Sequence, residues 1–267
     1  MAWRDYWQQI WIAKKEEING DLIKPQPTAE RRGLPKAIEE NTLGITAIDN
    51  GIEELYQTGY MHNHLRMYVA SIACNVAKCD WKIPAQWMYY HLLDGDWAAN
   101  ALSWQWVCGA NSKKLYFANQ ENINKYCYTS QSDTFLDIPY EDFNSLPTPT
   151  ILSELILPEL ITNLPVTAKP EIDDAKPTLI YNFYNLDPLW HQEMDANRIL
   201  LLEPSVFDQY PIADRVLNFC IDLAKENIPN IKIWAAEFTA LKERFNGPIY
   251  FKEHPLNNYV GIEEERT

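Results

Sequence analysis

The chain has 267 residues, 46% hydrophobic and 22% charged, enough sequence to bury one large core or two smaller ones. Its formal net charge is -14, with 13 basic against 18 acidic side chains in residues 1–150 and 10 against 19 in 151–267. Tight binding to a polyanion rests on clustered Lys and Arg, so this balance argues against a dedicated nucleic-acid-binding module. No apolar run approaches the ~18 residues of a membrane span, which argues against a membrane protein.

The five cysteines, Cys74, Cys79, Cys108, Cys127 and Cys220, form no C-x-x-C pair and no Cys/His spacing suited to a metal. We therefore expect no metal site, reduced thiols and a cytoplasmic protein; the N-terminal MAWRDYWQQIW also lacks a signal-peptide pattern. Aromatics are the unusual component, with 10 Trp and 15 Tyr against 9 Gly. Indoles at that density suggest stacking surfaces as well as core filling.

In chain order, residues 3–57 read as helical apart from a break at Pro25 and Pro27, with Trp3, Trp7 and Trp11 at i, i+4 and i+8. Core packing is the expected role of Trp7 and Trp11. Ile45, Ile48, Ile52 and Leu55 continue the helical period until Gly59 stops it. The stripe Leu65, Tyr68, Val69, Ile72, Ala73, Val76, Ala77 predicts a buried helix over about 61–79. Another helix carries Trp87, Tyr90 and His91 into LLDGD, and residues 111–150 read as a polar loop. Prolines at 147, 149, 158, 165 and 170 mark a boundary zone. Beyond it TLIYNFY (178–184), RILLLEP (198–204), IKIWAAEF (231–238) and PIYFKEH (248–254) read as strands. They alternate with helical 214–226 and 238–245, which argues a parallel sheet. The EEER run at 263–266 reads as a solvated tail; LLLEPSVFDQYP joins a strand to a helix as a ligand loop would, but no G-x-G-x-x-G or P-loop appears, and a small sheet that only docks on the helical domain is the main expectation.

One stretch poses a chemical problem. LLDGDWAANALSWQWV, residues 92–107, places Asp94 and Asp96 in an apolar, tryptophan-rich run, where an unpartnered carboxylate costs several kcal/mol. Arg66, three residues from Asn63 in YMHNHLRM, offers a partner. Taken together, TGYMHNHLRM, the DW at 80–81, LLDGDWAAN, SWQWV and the N-terminal WRDYW resemble the flavin-binding helical domain of the photolyase/cryptochrome family over residues 3–145.

The resemblance implies an FAD site with Arg66, Asp94, Asp96, Asn63 and Asn100 as cofactor-binding residues. Arg66 and Asp94 would pair against the flavin ring, Asp96 would accept from its pyrimidine edge, and Asn100 would sit near N5. Trp104 and Trp81 would relay electrons and, with Asn100, carry the catalysis, while Trp3, Asn63, Met67 and Trp106 would hold a flipped-out pyrimidine dimer. His62 and His91 are expected near the flavin site, without catalytic roles. The sequence departs from the family pattern in several places. His64 stands where many photolyases have a phosphate-binding Arg, Thr46 replaces a usual proline, and Trp97 a usual small residue. A dimer-contacting Glu, the segment holding the FAD phosphates and the antenna domain would lie upstream of Met1. The FAD phosphates would then be held by a missing N-terminal region or a partner chain.

The expected architecture is α+β, with an all-α FAD-binding domain over 1–165 followed by a small α/β, parallel-sheet, Rossmann-like domain over 166–267. The expected function is a photolyase/cryptochrome flavoprotein, which if active is a light-dependent lyase repairing pyrimidine dimers in damaged DNA. The alternatives are a blue-light-sensing or interaction flavoprotein without repair, and a scaffold that has lost FAD.

Overall fold

The computed structural model describes residues 2–266. Its Cα positions separate into two compact units, Met1–Glu159 and Leu160–Thr267, the first helical and the second built on a parallel sheet.

In the helical unit α1 spans Ala2–Lys14, and a 3-10 turn follows at Lys15–Asn19. A two-residue strand β1 (Leu34–Pro35) pairs antiparallel with β2 (Leu155–Ile156), so the end of the unit is tied back beside the short helix α2 (Lys36–Glu39). Helix α3 (Thr46–Thr58) buries Ile48, Ile52 and Leu55 at the spacing read from the sequence. It ends at Gly59, whose φ of 75° is left-handed and whose N–H donates to Leu55 O at 2.8 Å. A side chain there would also strike Leu93 Cγ at 2.6 Å.

The stripe predicted as one helix over 61–79 is shorter and interrupted. Helix α4 occupies Asn63–Ser71, opened by the His62 ring accepting from His64 N–H, and residues Ile72–Val76 widen into a π turn. Ala77 N–H there reaches Ile72 O at 2.8 Å. The bulge has a local beneficiary in the buried Asn75, whose amide donates to Val107 O (3.1 Å) and Tyr116 O (2.8 Å). Apolar periodicity reports a buried face, and an inserted residue is invisible to it.

Helices α5 (Lys82–His91) and α6 (Trp97–Val107) flank the LLDGD turn. The segment read as loop, 111–150, contains a further helix, α7 (Gln120–Cys127), capped by Asn119 accepting from Asn122 N–H at 3.0 Å. Its polar sequence buries only Gln120 and Ile123, too little apolar surface to produce a helical stripe.

The second unit carries β3 (Thr178–Tyr181), β4 (Asn197–Leu202), β5 (Lys232–Ala235), β6 (Ile249–Lys252) and β7 (Ile262–Glu264), in the spatial order β5-β4-β3-β6-β7. Every neighbouring pair is parallel. The central strands β3 and β4 are buried along their whole length, as a sheet covered on both faces requires. Helices α8 (Pro204–Gln209), α9 (Asp214–Asn227) and α10 (Phe238–Lys242) lie in the connections. One core joins Ile180, Ile199, Leu201, Trp234, Phe238 and Phe251.

The strands and α10 are shorter than the apolar runs predicting them. Of the run read as a solvated tail, Glu263 and Glu265 are exposed as expected, but Glu263 and Glu264 also form the edge strand β7, where Glu264 accepts from Trp190 Nε1 and pairs with His191 Nε2, each at 2.7 Å. The loop after β4 is held by its own contacts. Buried Glu203 accepts from Tyr259 Oη at 2.7 Å and Phe238 N–H at 3.0 Å, and burial raises its pKa above the ordinary carboxylate value. All five cysteines are free thiols. Among the described residues no cluster of His, Cys, Asp and Glu could hold a metal ion, and no helix is long and apolar enough to cross a membrane.

Candidate flavin site

Helical spacing builds the site. On α4, Asn63, Arg66, Met67 and Ala70 fall at i, i+3, i+4 and i+7; on α6, Ala99, Asn100, Ser103, Trp104 and Val107 form a second stripe. Together with Trp3, Arg4 and Trp7 of α1 and the turn residues Leu92, Asp94 and Asp96, they line one cavity of about 400 Å³.

The LLDGD turn hands its two acids different tasks. Asp94 Oδ1 and Oδ2 lie 2.9 and 3.1 Å from Arg66 Nη2, while Arg66 Nε donates to Met61 O at 2.7 Å and so fixes the guanidinium at the cavity wall. Asp94 is half exposed, which limits such a pair to under about 1 kcal/mol of stability. Asp96 is buried and caps α6: Oδ1 accepts from Ala99 N–H at 2.8 Å and Oδ2 accepts from Gln8 Nε2, with Arg4 Nε 3.9 Å away. Gly95 between them passes so close to the end of α5 that a Cβ would lie 2.9 Å from Leu92 O and 3.3 Å from Tyr89 O. Asn100 donates its amide to Ala85 O at 2.8 Å, which orients its carbonyl end independently of any ligand.

The other nominated residues are distributed unevenly. Trp104 is buried at the cavity wall, and Trp81, also buried, donates Nε1 to Asp21 at 2.9 Å and lies 6.5 Å from the Trp97 ring. Trp3 stands 72% exposed at the rim, stacked on Trp7 with ring centroids 6.0 Å apart. Asn63 Nδ2 is 4.0 Å from Met67 Sδ, and both line the cavity. Trp106 is outside the cavity lining and exposed, with its ring 5.9 Å from Tyr116.

His62 and His91 are chain neighbours of the lining residues Asn63 and Leu92 but do not line the cavity themselves: His62 caps α4, and His91 sits among Tyr56, Trp87 and Tyr90, where burial lowers its pKa to about 4. One expectation is corrected. Trp7, assigned to core packing, lines the cavity, whereas Trp11 is core. Sequence reasoning also missed Arg4, which lines the cavity, and Gln8, which supports Asp96. Their signal was present, since 4 and 8 repeat the i, i+4 spacing of Trp3 and Trp7 one residue on.

Residues 1–136, more than half of the chain, match the family described as the FAD binding domain of DNA photolyase. The chain belongs to that family. A deoxyribodipyrimidine photo-lyase of Synechococcus is 33% identical over 124 residues, 45% of this chain and 26% of its own. A cryptochrome DASH of Natronomonas pharaonis is 30% identical over 135 residues, 47% of this chain and 28% of its own. Among solved structures, a class III photolyase of Agrobacterium tumefaciens aligns with a TM-score of 0.40 at 25% identity, over 47% of this chain and 27% of its own. The photolyase-type chain thus spans about a quarter of the length of the curated relatives it matches.

Proposed function

We propose that the helical unit binds FAD in the cavity between α1, α4 and α6 and uses it for light-driven electron transfer that repairs pyrimidine dimers in DNA. The observation that carries this reading is the convergence of the Arg66–Asp94 pair, Asp96 and Asn100 on a single cavity walled by Trp104.

The residues present fit the group. An isoalloxazine ring is flat and apolar on both faces with a hydrogen-bonding rim, and a cavity of about 400 Å³ lies within the ~300–1,000 Å³ usual for small-molecule sites. Trp7, Met67, Ala70, Trp104 and Val107 supply apolar wall. Arg66 would orient the ring through its fixed guanidinium. Each Asp96 oxygen keeps a second lone pair for a ring N–H, and Asn100 keeps its carbonyl oxygen for one near N5. Arg4 and Arg66 are the cations available to an anionic part of the cofactor.

When bound, reduced FAD supplies the photoexcited one-electron donation by which a cyclobutane dimer is split. The protein's part is to exclude water around the ring, hold it against Arg66 and Asp96, and present the lesion. Trp3, Asn63 and Met67 would hold the flipped dimer at the rim, with Trp106 on the flanking surface, and Trp104 and Trp81 would carry electrons inward. The damaged-DNA partner and a cytoplasmic location belong to the same proposal. A second reading, a blue-light-sensing flavoprotein without repair, is favoured by the -14 charge, which opposes a polyanionic partner.

The test is the visible spectrum of the purified chain after incubation with FAD and removal of free cofactor. A flavin band that Arg66→Ala abolishes supports the site, and a colourless protein overturns it. Dimer repair on single-stranded oligonucleotides under blue light then separates repair from sensing.

A further inference from the structure

The sheet order β5-β4-β3-β6-β7 contains a reversal. From β3 the chain adds β4 and β5 on one side, then returns to add β6 and β7 on the other. The loops leaving the carboxyl ends of β3 and β6 therefore diverge, and in open parallel sheets that divergence leaves a crevice where ligands bind. A cavity of about 240 Å³ occupies this place, lined by the loop after β3 (Asn182, Asn185, Asp187), the end of β6 (Lys252, Glu253) and Arg266 beyond β7.

The lining chemistry narrows the ligand. The lining brings together two bases, Lys252 and Arg266, and two acids, Asp187 and Glu253; Lys252 Nζ donates to Glu265 O at 3.1 Å, and among the described residues no ion pair of either acid is found. A polyanion would meet both carboxylates and a cation both bases, whereas a ligand carrying both signs engages all four. Asn185 also lines the crevice, and its Nδ2 is buried with no hydrogen-bond partner among the described residues. A buried amide N–H in that state favours an acceptor such as a carboxylate oxygen. The loop that presents it is held by Asn182, which accepts from Tyr184 N–H at 2.9 Å and donates to Asn257 Oδ1 at 2.9 Å. Asp187 is positioned by Leu189 N–H at 2.9 Å, which uses one oxygen and leaves the other for a ligand. Tyr184, stacked on His254 with centroids 4.3 Å apart, and Leu186 give the crevice an aromatic and apolar side. The loop 182–187 contains no glycine, so the backbone approach that dinucleotide phosphates require is lacking, and the volume is below that of most cofactor pockets.

We propose that this crevice binds a small zwitterion, a free amino acid, with its α-carboxylate toward Lys252, Arg266 and the Asn185 amide, and its ammonium toward Asp187 and Glu253. The site is independent of the flavin cavity and stands or falls separately from it.

Equilibrium dialysis of the full chain against each radiolabelled proteinogenic L-amino acid tests the assignment. The expected result is saturable one-to-one binding of one or a few of them. Affinity should fall about tenfold or more when the same amino acid is N-acetylated or carried as its methyl ester, and again in Asp187→Asn and Lys252→Met. No binding by any amino acid, or affinity unchanged by both blocking groups, overturns the proposal. The blocked ligands are tested on the unaltered chain, so they decide the matter even where a variant fails to fold.

Discussion

Replacing Asp96 with alanine removes two hydrogen bonds that the structure separates cleanly. The first is the cap on α6, where Oδ1 accepts from Ala99 N–H at 2.8 Å; losing an aspartate cap costs about 1 kcal/mol. The second is the partner of Gln8, a buried amide on α1 that would be left unsatisfied at about 1–3 kcal/mol. The sum, about 2–4 kcal/mol, is a large fraction of what holds an ordinary domain folded. Asp96→Asn keeps a capping oxygen but turns an amide N–H toward Gln8 Nε2, so roughly half that loss is expected. Urea unfolding followed by tryptophan fluorescence reads both variants, with the midpoint shifting at constant m-value. Gln8→Ala in the Asp96→Ala background should then cost little further, because the stranded amide goes with it. An Asp96→Ala protein within about 0.5 kcal/mol of the parent, the scatter of an ordinary surface change, would refute the claim that this acid organises the junction of α1 and α6.

Gly95→Ala should destabilise by about 1–3 kcal/mol through overpacking, because its Cβ would lie 2.9 Å from a backbone oxygen that cannot swing away; a shift in the urea midpoint checks it. His91 has its pKa lowered by burial from 6.5 to about 4, so the unfolded chain binds more protons between those values. Its contribution is intact above pH 6.5 and is lost as pH falls toward 4, at up to about 1.4 kcal/mol per pH unit, and His91→Phe should flatten that part of the stability profile. Arg66→Lys should retain the charge but lose the Nε bond to Met61 O and the contact with both Asp94 oxygens, lowering FAD affinity about tenfold or more in a fluorescence titration. Trp104→Phe should leave FAD bound while slowing its photoreduction, read as the rate of bleaching of the flavin band under blue light with a thiol reductant.

The division into a helical part and a parallel sheet was legible because apolar period is a local property of the chain. Ile48, Ile52 and Leu55 reveal one buried helix face, and the continuous apolar run Leu200, Leu201, Leu202 a strand covered on both sides. The helix at 120–127 and the strand at 262–264 escaped because they bury little, and an element without an apolar signature looks like loop or tail until its hydrogen bonds are known.

At the candidate site the sequence determined the inventory: an arginine and an asparagine one turn apart, two acids about a glycine, and an asparagine and tryptophan on the helix that follows. Tertiary structure decided how they are used. Only the approach of α1 to α6 shows that Gln8 occupies one oxygen of Asp96 and that Trp7 faces the cavity while Trp11 faces the core. The crevice at the ends of β3 and β6 is likewise absent from any local pattern, since its charges come from segments about 65–80 residues apart. Spacing along a chain specifies which side chains share a face, but which face meets which is set by packing between elements distant in sequence.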